Sequence, residues 1–220
     1  IRDSSYALGR MLLQLLLIGY ALAWIFGARS GVLILVVLLV MVAAAAWIAV
    51  RTVPGRRSRL LGASLVAIAV GGGFTLLVIT QWVLRLEPWY APRYSVPLAG
   101  MIVANAMTAV SLAAERYYAE LGYGQESDSA RRAAFQAALI PVINSLFAVG
   151  LVSLPGMMTG QILSGVSPLI AARYQIVVMC MIFASAGIST AIFLSLLLRQ
   201  GKPAVDASGA TVSGEQAPPD

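Results

Sequence analysis

Two adjacent methionines, Met157 and Met158, follow Pro155-Gly156 inside a long apolar segment. Because proline removes a backbone donor and glycine tolerates unusual dihedral angles, this dipeptide predicts a break in a helix. A broken helix exposes backbone carbonyls that can bind a cation, and a thioether is a weak, soft ligand suited to a passing metal ion. The two methionines are therefore candidate metal ligands in a transport pathway. The alternative is that they fill packing gaps beside a simple proline kink.

Uncharged polar side chains recur inside the apolar segments. Each one alone is typical of hydrogen bonding between helices, whereas together they can line a polar path across a membrane. The predicted translocation pathway consists of Gln14, Asn105, Met107, Asn144, Ser145, Ser153, Pro155, Gly156, Met157, Met158 and Gln161.

The composition excludes several kinds of chemistry. The chain has no histidine and one cysteine, Cys180, which rules out histidine-based catalytic triads, zinc sites and disulfide frameworks. No Asp or Glu lies within an apolar segment, although ion-coupled carriers usually hold a carboxylate near the membrane midplane. The GxxxxGK[ST] phosphate loop is also absent. We therefore expect a non-enzymatic transport subunit that binds no cofactor, with ATP used by a separate ATPase subunit.

Such an ATPase needs a cytoplasmic docking element, and the stretch Glu115–Ala133 is the longest internal connection. It has an apolar patch amid charges and a helix-stop signal at Leu121-Gly122, which favours a short amphipathic coupling helix. The alternative is an ordinary solvated loop. The predicted coupling residues are Tyr117, Tyr118, Glu120, Leu121, Gly122, Arg131 and Arg132.

The elements that position these residues are membrane-spanning helices. The sequence is 60% apolar and 11% charged, and runs of about 20 apolar residues span a hydrocarbon core of about 30 Å. In lipid, the backbone N–H and C=O groups of each span must form their hydrogen bonds within the protein, and a helix achieves this. We therefore predict an all-α polytopic bundle with about six spans. The predicted spans are Tyr6–Phe26, Gly31–Val50, Leu60–Leu84, Tyr94–Ala114, Ala134–Ser164 and Tyr174–Leu198.

The fifth of these segments is too long for one straight span. Its roughly 31 residues would rise about 46 Å as a continuous helix, so the helix must tilt or break, and Pro155 marks the predicted break. Small residues at every fourth position predict close helix contacts, either within the bundle or between copies. These stripes are Ala63, Ala67, Gly71 and Thr75; Gly100, Ala104 and Thr108; and Gly156, Gly160 and Ser164.

Arginines set the orientation of the chain. Four of them lie in Arg51–Arg59 and three more in Glu115–Ala133, so the positive-inside rule places both connections in the cytoplasm. Alternation then places both termini in the cytoplasm as well. We predict a transmembrane permease domain over residues 1–198 and a disordered cytoplasmic tail over residues 199–220, in a bacterial inner (plasma) membrane.

Three blocks carry a resemblance to a known family. They are GRMLLQLLLIGYALAWIFG at Gly9–Gly27, PLAGMIVANAMTAVSL at Pro97–Leu112, and the Ala137–Val178 block that contains SLPGMMTG. Together they resemble the FetB-type permease family, whose members include membrane subunits of bacterial iron-export ABC transporters and of plant aluminium-tolerance transporters. The match runs over most of Gly9–Leu198.

This resemblance implies a homodimeric permease that works with an ABC ATPase in metal tolerance. It leaves the substrate open, since related plant complexes are linked to UDP-glucose. Family members usually have another hydrophobic segment ahead of the first block and a longer loop between the second and third blocks. We therefore expect seven spans in the family and an absent N-terminal helix in this chain, and the shorter loop leaves the coupling contact open.

Three classes of function remain to be compared. The leading hypothesis is a permease subunit that exports iron or another metal and alternates access when its partner ATPase closes on ATP. An ion-coupled or passive carrier, or a permease for a nucleotide sugar, is the alternative. A scaffold or an intramembrane enzyme is the third class, and hydrolysis would need a base that the spans lack.

The orientation gives a first testable prediction. A cysteine at Ser58, introduced in a Cys180→Ser background, should not react with a membrane-impermeant maleimide in intact cells, because Arg51–Arg59 is retained in the cytoplasm. Labelling is measured before and after the cells are permeabilised. Rapid labelling of intact cells would invert the whole predicted topology.

Overall fold

The computed structural model describes residues 2–27, 30–53, 57–88 and 90–199. They form seven α-helices, which are α1 (Arg2–Gly27), α2 (Gly31–Ala49), α3 (Arg57–Leu77), α4 (Pro92–Gly122), α5 (Ser127–Ala148), α6 (Gly156–Leu163) and α7 (Pro168–Arg199). A 3-10 turn at Val50–Thr52 extends α2, and a π-helical segment at Val78–Val83 extends α3. The predicted tail falls, apart from Arg199, outside the described residues and stays a prediction.

The all-α polytopic fold class is confirmed. Within the described ranges, four helical segments are long and apolar enough to cross a membrane: Gly31–Thr52, Arg57–Val83, Pro92–Gly122 and Pro168–Arg199. The first and fifth predicted spans differ from these four. The first contains a shorter apolar stretch, Met11–Leu22, within α1. The fifth is divided by irregular chain between α5 and α6.

Helix α4 lies at the centre of the bundle, where it packs against α2, α3, α5 and α7. The main core is rich in alanine, and small side chains let helix backbones approach closely when lipid gives no hydrophobic drive for helix association. The buried alanines of this core are Ala45, Ala46, Ala49, Ala63, Ala67, Ala106, Ala109, Ala113, Ala114, Ala130, Ala134, Ala138 and Ala186.

Of the three small-residue stripes, the one on α3 makes contacts within the chain. All four of its members are buried, and Gly71 lies directly against Ser189 of α7. The α4 stripe is turned away from the core, since Ala104 and Thr108 are exposed. The α6 stripe, which runs from Gly156 to Ser164, is exposed in the single chain.

Hydroxyl groups buried in the bundle donate to helix carbonyls. Ser64 donates to the Ala46 carbonyl across the α2–α3 contact at 3.4 Å. Thr75 donates to the Gly71 carbonyl of its own helix at 2.8 Å. These bonds satisfy the hydroxyls of Ser64 and Thr75 inside apolar helices, whereas the buried hydroxyls of Ser189 and Thr190 have no partner among the described residues.

The contact between α3 and α7 gives a second prediction. A Cβ added at Gly71 would lie 2.8 Å from the Ser189 backbone nitrogen and 2.9 Å from its Cα, so Gly71→Ala must push the two helices apart. We expect a loss of about 1–3 kcal/mol, the usual cost of overpacking. The measurement is SDS-titrated unfolding of the purified chain in micelles, followed by circular dichroism.

Gly73→Ala is the matched control, because Gly73 is two residues away on the same helix and a Cβ there meets nothing within 4 Å. It should unfold at the same or a higher SDS fraction, since alanine is the better helix former. Equal stability of the two variants would contradict the close α3–α7 contact.

Candidate translocation site

Between α5 and α6 the chain is not helical and forms a tight turn over residues 149–155. The Ala148 carbonyl accepts hydrogen bonds from three consecutive N–H groups, those of Leu151, Val152 and Ser153, at 3.2, 2.8 and 3.3 Å. Gly150 adopts a φ of 82°, a left-handed conformation that suits glycine, and its N–H donates to the Ser153 carbonyl at 3.0 Å. The turn therefore satisfies much of its own backbone.

The predicted break near Pro155 is confirmed, but it begins earlier in the chain. Pro155 is the N-cap residue of α6 and closes the irregular segment rather than opening it. The reversal itself depends on Gly150. A proline beside the first helical turn is favourable, because the N–H groups there have no intrahelical partner.

Helix α6 is short and lies open in the single chain. None of its eight residues is buried; Met157 is 39% exposed and Met158 is partly buried. The helix ends in a Schellman motif, in which Gly165 at φ 89° donates to the Ile162 carbonyl and Val166 donates to the Gln161 carbonyl. The two methionines are thus held on a well-ended helix outside the core.

Two glutamine side chains lie on α6 and α7, which pack against each other. Gln161 is partly buried and Gln175 is 6% exposed, and the amide oxygen of each is buried without a hydrogen-bond partner among the described residues. Such an oxygen can accept from water or coordinate a cation. Gln175 was not among the predicted pathway residues, although a glutamine within an apolar helix is a signal for one.

The predicted pathway residues fall into two groups. Residues 144–161 form one continuous stretch, in which Asn144, Ser145, Ser153 and Gly156 are exposed. Ser145 donates to the Pro141 carbonyl at 3.0 Å. The stretch includes Pro155, both methionines and Gln161.

The second group lies elsewhere in the bundle. Gln14 is exposed on α1, which packs mainly against α4. Asn105 donates to the Met101 carbonyl of its own helix at 2.8 Å, and Met107 packs against the main core. Helix α6 packs chiefly against α7, and neither α1 nor α4 makes a comparable contact with it, so the helix packing does not place these three residues beside the methionines of α6.

The predicted coupling stretch is a helical hairpin and not a loop with its own helix. Helix α4 continues through residues 115–122 and ends at Gly122, as the helix-stop signal predicts, and α5 begins at Ser127. The extension is supported by an i,i+4 ion pair of 2.5 Å between Arg116 and Glu120.

Tyr117 and Tyr118, on the last turns of α4, face inward. Tyr117 is 3% exposed within the main core, Tyr118 packs edge-on against it with ring centroids 5.4 Å apart, and Leu121 is partly buried. These residues therefore support the hairpin. Arg131 and Arg132 lie on α5 beside α7, where they line a cleft.

An exposed residue that the sequence reasoning missed lies at the hairpin tip. Tyr123 is 83% exposed and follows the last residue of α4. Gly124, at φ 80°, donates to the Leu121 carbonyl, and Gln125 donates to the Glu120 carbonyl, which completes a second Schellman motif. A large aromatic residue held out on a rigid turn is typical of a contact surface.

No group of three or more His, Cys, Asp or Glu residues within the described part of the chain could hold a metal ion. A cation near the broken turn would instead meet backbone carbonyls, glutamine amide oxygens and thioether sulfur. This ligand set is neutral and mixed in softness, which favours brief contacts over tight coordination.

The sequence profile of the uncharacterised protein family UPF0014 matches residues 2–127 and 122–201. The chain belongs to this family. The resemblance to the FetB-type permeases is thereby confirmed, because the relatives of this chain include FetB itself.

The family includes bacterial and plant membrane proteins. The chain is 37% identical to the probable iron export permease protein FetB of Escherichia coli, over 90% of this chain and 81% of that protein. It is 35% identical to the membrane protein STAR2 of rice, over 86% of this chain and 70% of that protein. It is 33% identical to the protein ALUMINUM SENSITIVE 3 of Arabidopsis thaliana, over 86% of this chain and 73% of that protein. None of the solved structures matches the chain significantly.

Proposed function

We propose that this UPF0014 chain is the membrane-spanning permease subunit of an ABC transporter that exports iron or another metal from a bacterial cell. The observation that supports this most directly is the 37% identity to the protein named as a probable iron export permease, which extends over 90% of the chain. The chain supplies a path through the inner membrane, and a separate ATPase subunit supplies the energy. Its C-terminus lies in the cytoplasm with that ATPase.

The path passes the broken turn between α5 and α6. Irregular backbone at membrane depth persists where it is covered by protein or lines a water-filled cavity. The exposed Met157, the partly buried Met158 and the unpaired amide oxygens of Gln161 and Gln175 are the weak ligands that we assign to a passing cation. Weak contacts allow release, which a conduit requires.

Two copies of the chain form the working permease. The α5–α6 turn leaves large apolar side chains uncovered in the single chain, with Leu151 89%, Val152 83% and Phe147 77% exposed. The exposed small residues of α6 also permit close approach of a second helix. A two-fold pairing through this surface would enclose the broken turns of both copies.

The ATPase docks on the tip of the α4–α5 hairpin. Tyr123 offers an aromatic anchor there, and Gln125 and Glu126 are exposed around it. The tip belongs to the predicted cytoplasmic side, since Arg116 and Arg131 flank it on the two helices.

The ATPase contact can be tested with Tyr123→Ala. Truncating an exposed aromatic anchor should cost roughly 1–2 kcal/mol or more of binding, so recovery of the ATPase should fall about ten-fold. The tagged chain is purified from native membranes, and ATP hydrolysis of the eluate is measured together with the mass and phosphate-loop sequence of any co-purified subunit.

Tyr94→Ala is the matched control, because Tyr94 is 56% exposed at the opposite end of the same helix. It should leave ATPase recovery unchanged. If the wild-type chain recovers no ATPase, or if both variants behave alike, docking at the tip is wrong.

The metal contact can be tested with Met157→Leu, Met158→Leu. Leucine nearly preserves volume and apolarity, so a packing role predicts near-normal export. A ligand role predicts a fall of roughly ten-fold or more, the scale seen when the support of metal ligands is removed. The measurement is Fe(II) efflux from proteoliposomes that contain the permease–ATPase complex.

Met101→Leu, Met179→Leu serves as the control pair, since both residues are also partly buried but lie outside α6. Normal efflux by the Met157→Leu, Met158→Leu variant would remove the ligand role and leave the broken-helix pathway in place. If the wild-type complex does not transport Fe(II) or another metal ion out of the proteoliposomes, the proposed substrate class is wrong.

A further inference from the structure

A cleft of about 350 Å³ opens between the first half of α5 and the last turns of α7. Its apolar wall is made by Phe135, Ala191 and Leu194, and its polar side by Arg131, Arg132 and Gln136. Its volume falls in the range of ligand-binding pockets, roughly 300–1,000 Å³. The cleft is separate from the broken turn, which lies at the other end of α5.

The charge of the cleft is poorly balanced within the chain. The Nε of Arg131 lies 3.8 Å from the Asp128 carboxylate, beyond hydrogen-bond distance, and it is buried without a hydrogen-bond partner among the described residues. The Asp128 side chain is 71% exposed, and such an exposed pair contributes little. Arg132 has no acidic partner in the described part of the chain. The two guanidinium groups are therefore available to an anion.

Part of the apolar wall belongs to a segment that is long and apolar enough to span a bilayer. Helix α7 ends at Arg199, and Leu194 and Ala191 lie about one to two turns before that end, within the segment that is apolar enough to span a membrane. The arginines lie on α5 at the predicted cytoplasmic boundary. The cleft thus combines a cationic rim at the interface with an apolar wall inside the hydrocarbon, an arrangement that an amphiphile fits better than a peptide of a soluble subunit.

We propose that this cleft binds an acidic phospholipid of the cytoplasmic leaflet. The lipid phosphate lies between Arg131 and Arg132, whose guanidinium groups suit phosphate oxygens, and an acyl chain lies along Phe135, Ala191 and Leu194. Gln136 adds an amide donor to the headgroup. The Ser195 hydroxyl already donates to the Ala191 carbonyl at 2.7 Å, so it is left as an acceptor for a headgroup hydroxyl.

The experiment is native mass spectrometry of the delipidated chain in detergent, titrated with phosphatidylglycerol or phosphatidylcholine of identical acyl chains. We expect at least five-fold tighter binding of the first phosphatidylglycerol. Arg131→Gln, Arg132→Gln should weaken that binding by about five-fold for each arginine lost, which corresponds to the usual contribution of one basic residue beside anionic lipid. Arg51→Gln, Arg59→Gln makes the same charge change elsewhere on the predicted cytoplasmic side and should leave the binding unchanged.

A second variant distinguishes binding inside the cleft from simple attraction of the lipid to positive charge. Ala191 is exposed on the wall, so Ala191→Trp fills the cleft while both arginines remain, and it should abolish the phosphatidylglycerol preference.

Equal binding of the two lipids, or full binding by both variants, would overturn the proposal. Displacement of phosphatidylglycerol by millimolar inorganic phosphate would identify a soluble-anion site instead. Loss of ATPase recovery without any change in lipid binding would assign the arginines to the partner subunit. None of these outcomes depends on whether metal is exported.

Discussion

A backbone N–H or C=O group that enters hydrocarbon must find its hydrogen-bond partner within the protein, and this requirement governs where the chain can leave a helix. Between α5 and α6 the chain leaves the helix over residues 149–155. The Ala148 carbonyl accepts hydrogen bonds from three N–H groups there, and Gly150 reverses the chain in a left-handed conformation. The Schellman motifs at Gly124 and Gly165 likewise pair backbone groups at the ends of α4 and α6. These three irregular segments are thus compact turns and not open loops.

The same solvent explains how the bundle is held together. Lipid gives apolar helices no reason to associate, so contact comes from close backbone packing, and the core is built largely from alanine with Gly71 against Ser189 at its tightest point. Ser64 and Thr75 of this core donate to helix carbonyls, whereas the hydroxyls of Ser189 and Thr190 on α7 are buried without a hydrogen-bond partner among the described residues. Other uncommitted polar groups lie at the edges of the bundle, on α6, at the start of α7 and around Arg131.

Hydropathy predicted the second, third, fourth and sixth spans, because it reports the solvent that each segment meets. Neither hydropathy nor residue spacing shows which helices touch. The three stripes of small residues therefore looked equivalent in the sequence, although only the α3 stripe is fully buried within the described chain. The break was predicted from Pro155, yet the reversal belongs to Gly150, whose left-handed conformation has no distinctive sequence signal among 20 glycines. The stretch 115–133 was interpreted as a connection because it is charged. An ion pair between Arg116 and Glu120 instead continues α4 beyond the apolar segment, and this buries Tyr117, which sequence alone suggested was an exposed contact.

Helix α5 joins all the regions to which function is assigned. It begins beside the exposed hairpin tip, passes the arginine cleft in its first two turns and ends at the Ala148 carbonyl that anchors the broken turn. Its 22 residues correspond to about 33 Å of helix, so one element connects the hairpin tip to the anchor of the turn. Pro141 interrupts this continuity, because it cannot donate to the carbonyl four residues earlier and so gives the helix a place to bend. Pro141 lies seven residues before Ala148, in the half of α5 nearer to the broken turn. Ala130, Ala134 and Ala138 pack the first half of α5 into the main core, so a change in the angle of α5 is easier after Pro141, next to the turn, than before it.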